Sequence, residues 1–187
     1  MRSVDAEDRK REGIKLFEQA YREQMSGNLE EAIRLYKASI AFHPTAEAHT
    51  FLGWTYSFKG QFAEAIEECK QAIAVDPTFG NPYNDIGSYL IHLGQVDAAI
   101  PWLERAIADE RYEPRHYPHC NLGRAYVAKG MLQKAITEFE KALAIAPGYA
   151  YAREALDKIR TQLNFCFAAN GVFAIIPVKI IGTDCSI

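Results

Sequence analysis

The densest chemistry in the chain is His116-Tyr117-Pro118-His119-Cys120, which sets three potential metal ligands within five positions. Imidazole and thiolate both suit zinc, but a structural zinc site needs a second ligand pair at comparable spacing, and the rest of the sequence offers none. A partly buried, hydrogen-bonded His119 is the expectation instead, and Pro118 is expected to open a helix. His43 and His92 stand alone. Cys69, Cys120, Cys166 and Cys185 are too widely spaced to suggest a disulfide framework or a metal site, which fits reduced thiols. The acid pairs Glu30-Glu31 and Glu67-Glu68 fall on exposed helix faces and read as solubility. No Gly-rich phosphate loop, Gly-x-Ser-x-Gly elbow or His-Glu-x-x-His stretch is present. No catalytic residue, cofactor or metal ligand is assigned, and the chain is expected not to be an enzyme.

The elements that carry these residues follow from a repeat. Ala20, Gly53, Gly87 and Gly123 recur 33, 34 and 36 residues apart. In the same phase come Gly27, Gly60, Gly94 and Gly130, then Ala32, Ala65, Ala99 and Ala135, then Ser39, Ala72, Ala106 and Ala142. Pro44, Pro77 and Pro147 close three of the units. A period of this length in a soluble chain points to stacked helical hairpins. In the second unit Leu52, Tyr56, Phe62, Ile66, Cys69, Ile73 and Val75 fall at helical spacing and are expected to face inward. Lys59-Gly60-Gln61 splits this unit into two helices, with glycine suited to the left-handed residue after the first. Small residues at the middle of each first helix and in each second helix predict close antiparallel packing. The prolines stop each hairpin at a fixed length.

These motifs resemble the tetratricopeptide repeat family, as in Leu52-Gly53-x-x-Tyr56, Ala65-Ile66, Ala72-Ile73 and Asp76-Pro77. They return as Leu122-Gly123-x-x-Tyr126, Ala135-Ile136, Ala142-Leu143 and Pro147. The resemblance covers 13–163 and implies an all-α, right-handed superhelical solenoid of four helix-turn-helix repeats. The expected units are 13–45, 46–79, 80–115 and 116–148, preceded by a charged, helical arm at 1–12. Residues 149–164 are expected as a capping helix, apolar on one face and charged on the other. The sequence departs from the family pattern in two units. Unit one has Ala20 in place of glycine. Unit three lacks the closing proline and carries Pro101 within its second helix, where a bend is expected rather than a break. Within the repeat, His119 shares the column that His49 fills in unit two.

The resemblance further implies that first-helix residues line a concave groove for a partner peptide. The positions at steps of three and four are Phe17, Tyr21 and Gln24 in unit one, with Ile14 and Met25 beside them. Unit two offers Thr50, Trp54, Ser57 and Phe58, with Glu47. Unit three offers Asn84 and Ser88, with Asn81, Ile91 and His92. Unit four offers Tyr117 and Arg124, with Cys120, Val127 and Ala128. The lining is aromatic at its N-terminal end and polar further along, which suits a segment with apolar anchors. Packing between repeats is the competing role for Phe17, Met25 and Phe58. Some members of the family grip a C-terminal acidic peptide with lysine, arginine and asparagine at such positions. Here only Asn84 and Arg124 are of the right type, which disfavours that clamp.

The chain has 187 residues, 49% of them hydrophobic and 24% charged, as expected of one soluble globular domain. Its net charge of −3, with both signs mixed along the helices, lacks the basic stripe that nucleic acid demands. The charged segment Met1 to Glu12 has no apolar signal core, so a cytoplasmic location is expected. The link Tyr112 to Pro118 resembles that of pilus-assembly members of the family, a placement that the lack of a secretion or lipoprotein signal opposes. After Asn164 the composition turns apolar, and Asn170-Gly171 between β-favouring runs signals a hairpin. Three uses of the tail, 165–187, stay open: a hairpin over the solenoid end, a strand bound to the groove or to a second molecule, and membrane contact. The last is disfavoured, because Asn170, Gly171, Pro177 and Lys179 interrupt any run of the ~20 residues a spanning helix needs. The reading reached is a non-enzymatic adaptor for a protein or peptide partner. The alternative is a scaffold that self-assembles through its solenoid ends or its tail.

Overall fold

The computed structural model describes the backbone of residues 2–109 and 112–170 and the side chains of 5–109 and 112–163. Among the described residues the regular structure is helical: α1 (Arg2–Met25), α2 (Leu29–Phe42), α3 (Ala46–Phe58), α4 (Phe62–Val75), α5 (Asn81–His92), α6 (Val96–Ala108), α7 (His116–Ala128), α8 (Leu132–Ile145) and α9 (Ala150–Asn170). Helices α1 and α2, α3 and α4, α5 and α6, and α7 and α8 pair as hairpins, and α9 packs on α8. The charged segment at the N-terminus is the opening of α1 rather than a separate arm.

Each hairpin reverses by the same device. Gly60 sits at φ 72°, its N–H donates to the Ser57 carbonyl at 2.9 Å, and the Gln61 N–H donates to the Tyr56 carbonyl at 3.0 Å. Gly27, Gly94 and Gly130 repeat the positive φ at the other three turns. A Cβ at these four positions would meet nothing within 4 Å, so the backbone conformation and not crowding selects glycine there.

The second set of small residues answers to crowding. A Cβ on Gly53 would lie 3.1 Å from the Ala65 carbonyl oxygen, one on Gly87 2.5 Å from Leu103 Cδ2, and one on Gly123 2.9 Å from Phe139 Cε1. The alanines opposite, Ala65, Ala99 and Ala135, are fully buried. Helix axes can therefore approach closely, and the apolar residues of each hairpin join those of the next in a continuous core. Every buried side-chain nitrogen and oxygen of the described residues has a hydrogen-bond partner.

The structure departs from the sequence expectations at Val75 and at the end of the capping helix. Val75 does not face inward but is 46% exposed, as are Phe42 and Ile145 at the same point of their hairpins to a similar degree. All three lie in the last turn of a second helix, beyond the part that the next hairpin covers. Pro101 lies inside α6, which runs unbroken to Ala108. The absent proline of unit three is replaced by a link in which Tyr112 is buried against Gly80, where a Cβ would come within 2.6 Å of the Tyr112 Cβ. Helix α9 passes the expected end at 164 and reaches Asn170. The first run of the expected hairpin, 165–169, is therefore helical, and the rest of the tail, 171–187, lies outside the described residues.

Candidate functional site

Beyond the contacts within hairpins, each first helix touches the next first helix: α1 with α3, α3 with α5, and α5 with α7. The second helices α2, α4, α6 and α8 do not touch one another to the same degree. First helices thus occupy the inner, shorter side of a curved stack, and the face they share is concave.

That face divides into two chemically distinct halves. At the N-terminal half, Phe51 sits among Phe17, Tyr21, Tyr36 and Trp54, with ring centroids 4.8–6.2 Å away. Phe17 also meets Tyr36 edge-on at 5.6 Å. The Tyr36 hydroxyl donates to Gln24 Oε1 at 2.7 Å, which accounts for the burial of Gln24. Above this cluster four large apolar side chains remain in solvent: Ile14 at 46%, Tyr21 at 43%, Met25 at 70% and Phe58 at 49% exposure. An open cleft of about 220 Å³ lies at Ile14, lined also by Gly13, Phe17, Ser39, His43, Thr45 and Glu47.

At the C-terminal half a chain of polar side chains crosses three first helices. Trp54 Nε1 donates to Asp85 Oδ2 at 2.6 Å, and Asn84 Nδ2 donates to Asp85 Oδ1 at 3.3 Å. Asn121 Nδ2 donates to Asn84 Oδ1 at 2.9 Å. Arg124 then closes the chain, with Nη1 donating to Asn121 Oδ1 at 2.9 Å and Nη2 to His92 Nε2 at 3.4 Å. The His92 ring is stacked on Phe62, centroids 4.7 Å apart and 14° from parallel. Asp85 is buried, and the loss of hydration pushes its carboxyl up to about 7 against the lowering effect of the Trp54 and Asn84 hydrogen bonds. Burial, and after it the charges of Asp85 and Glu68, likewise push the Cys69 thiol upward.

The positions singled out from the sequence therefore separate into three groups. Tyr21 and Phe58 are exposed, and Phe17, Trp54, Ser57, Tyr117 and Arg124 are partly exposed. Gln24, Thr50, Asn84 and Ser88 are buried, because neighbouring first helices approach closely enough to cover them; the Thr50 hydroxyl is turned back to the Ala46 carbonyl at 2.8 Å. Tyr117 lies at the far end, in contact with His116 and Tyr149. The residues that join the two halves, Phe51, Asp85 and Asn121, were not singled out from sequence. They follow directly after, or one step off, the positions a three-and-four stepping selects.

Models of the tetratricopeptide repeat match residues 46–79 and 79–148. The chain belongs to the tetratricopeptide repeat family. Over 133 residues, 71% of this chain, it is 26% identical to the BBSome complex member BBS4 of Bos taurus, and it spans 25% of the length of that relative. Among solved structures it is similar to MamA, at 29% identity and a TM-score of 0.67, covering 78% of this chain and 84% of that one. The fold is also similar to that of YrrB, a TPR protein described as having an unusual peptide-binding site, at 22% identity, a TM-score of 0.64 and coverage of 87% and 83%. Tetratricopeptide repeats bind protein or peptide partners, so the chain is read in general terms as a protein-interaction module.

Within this tetratricopeptide repeat framework the histidine-rich stretch resolves into separate roles. His119 Nδ1 is 2.7 Å from Glu138 Oε2, as His49 Nδ1 is 2.8 Å from Glu68 Oε2. The two pairs occupy equivalent points of units two and four and tie the first helix of each hairpin to its second. His116 packs on the Tyr117 and Tyr149 rings, and Cys120 is buried in the core. Among the described residues no group of three or more His, Cys, Asp or Glu is placed to hold a metal, and no helix is long and apolar enough to cross a membrane.

Proposed function

We propose that the protein is a non-enzymatic adaptor that holds a peptide segment of a partner protein on the concave face of its first helices. The observation that carries this reading is that Ile14, Tyr21, Met25 and Phe58, on the first helices α1 and α3, are all exposed, with Tyr21 packed on Phe51 beneath it. Several large apolar side chains left exposed on neighbouring helices mark an interaction site. Rigid aromatics bury large area at small cost in conformational entropy. Trp54 is held in place by the Asp85 carboxyl, so this part of the face is ordered before a partner arrives. The resemblance to a fold with a peptide-binding site points the same way. The location proposed with this reading is cytoplasmic, which suits the buried, unpaired thiol of Cys69.

The test removes exposed side chains only. Trp54 is a poor choice, since its loss would strand the Asp85 carboxyl. Tyr21→Ser with Phe58→Ser leaves the core intact and should retain the helical signal of the parent. Partner proteins captured by the intact chain should be lost with the double variant. Equal capture by both would refute the reading. Self-assembly through the same apolar residues is the competing use of this surface, and a concentration-dependent mass that the double variant abolishes would establish it instead.

A further inference from the structure

We propose that the occupant of the concave face is an extended, acid-bearing peptide, with a bulky apolar side chain at the Ile14–Tyr21–Phe58 end and an internal Asp or Glu on Arg124. This inference rests on the peptide-binding reading above and adds the chemistry of the partner.

Arg124 is the first part of the argument. Its guanidinium is partly buried and donates to Asn121 Oδ1 and His92 Nε2. Other cations on the molecule are differently served: Arg34 pairs with Glu31, Arg160 with Glu140, Lys59 with Glu30. No carboxylate of the described residues lies within ion-pair distance of Arg124. A guanidinium has five N–H donors in a fork matched to a carboxylate, and two are occupied here. Asn121 on its own helix and the Phe62-stacked His92 from α5 fix the direction of the fork, so an incoming carboxylate meets an oriented donor set.

Charge at the other end gives the arrangement a direction. Glu47 stands at the rim of the cleft beside Ile14 and Phe17, where a second carboxylate would be repelled and an apolar side chain accepted. Neighbouring helices pack ~10 Å apart, so the three steps from α1, or the two from α3, to α7 span ~20–30 Å. An extended chain advances ~3.3 Å per residue, which sets the apolar anchor and the acid about six to nine residues apart.

A random library of displayed peptides about a dozen residues long, long enough to span both ends, is selected on the full chain and on Arg124→Gln. Peptides enriched on the intact protein should pair an aromatic or branched apolar residue with an Asp or Glu about six to nine positions away, in either chain direction. Selection on Arg124→Gln should keep the apolar preference and lose the acidic one. The best peptide, made synthetically, should bind about tenfold more weakly when its acid is replaced by the amide, as expected for a charge-assisted hydrogen bond at a partly exposed site. On Arg124→Gln the two peptides should bind alike. Arg124→Lys should restore part of the difference, as a point charge without the fork. Enriched peptides with apolar anchors and no acidic preference would overturn this inference and leave the peptide-binding reading intact. No enrichment over the bare support would overturn both.

Discussion

Replacing Asp85 by asparagine should invert its effect on stability between acid and alkaline solution. The folded protein holds the Asp85 carboxyl at about 7, against an ordinary value of 3.8, because burial penalises the charged form. Below about pH 4 both folded and unfolded chains keep the proton. Between about pH 4 and pH 7 the unfolded chain releases it and the folded chain does not, so this residue's contribution to stability is lost as pH rises through that window and is flat above it. At about 1.4 kcal/mol per pH unit, the gap corresponds to ~4 kcal/mol above pH 7 as an upper figure. Asparagine carries no such penalty but offers one acceptor where Trp54 and Asn84 both donate, at a cost of about 1 kcal/mol. Asp85→Asn should therefore be the more stable protein at pH 8, by about 2–3 kcal/mol, and the less stable at pH 4, by about 1 kcal/mol. Urea midpoints followed by helical circular dichroism at several pH values read the difference, and comparison within each pH cancels the other titrating groups. A stability difference that stays constant from pH 4 to pH 8 would refute the reasoning.

Other outcomes follow from the packing. Gly87→Ala forces a methyl group to within 2.5 Å of Leu103, a fully buried side chain with no room to withdraw, and should destabilise the protein by about 1–3 kcal/mol despite the better helix propensity of alanine. Thermal or urea unfolding would show it; an unchanged or raised midpoint would mean that the helices separate freely. Gly60→Ala meets no atom within 4 Å and should cost only the left-handed backbone strain, about 1 kcal/mol in the same assay. A loss of several kcal/mol there would show that something besides φ selects glycine. Tyr36→Phe removes the hydroxyl that donates to buried Gln24 and should cost about 1–2 kcal/mol by urea unfolding. A neutral result would mean that Gln24 finds water instead.

The repeat was legible because two different physical demands fall at fixed phase. Gly60 and its three counterparts answer to backbone conformation, and Gly53, Gly87 and Gly123 to close approach of helices, so both leave glycine in the sequence. The aromatic N-terminal end of the shared face was legible as well, since Tyr21 and Phe58 are exposed where the spacing sets them. The polar half was read from Asn84, Ser88 and Arg124, but not its burial or its hydrogen-bonded chain. Spacing shows which way a residue points but not how near the next first helix comes, and that distance is what buries Thr50, Asn84 and Ser88. Asp85 was not singled out, because nothing in the order of residues shows that Trp54, one unit earlier, would supply its hydrogen bond. For the same reason Val75 looked like core: its period is right, but it lies one turn past the cover of the neighbouring hairpin.

The central claim, that the concave face of the first helices receives a peptide, is tested most directly by the indole N–H resonances of the two tryptophans during titration with a library-selected peptide. Trp54 lies on the first-helix face and Trp102 on a second helix, so one spectrum carries both a probe and an internal control. The account predicts that the Trp54 signal moves with saturating peptide while that of Trp102 stays in place. Movement of Trp102 with a static Trp54 would contradict it and transfer the binding surface to the second helices.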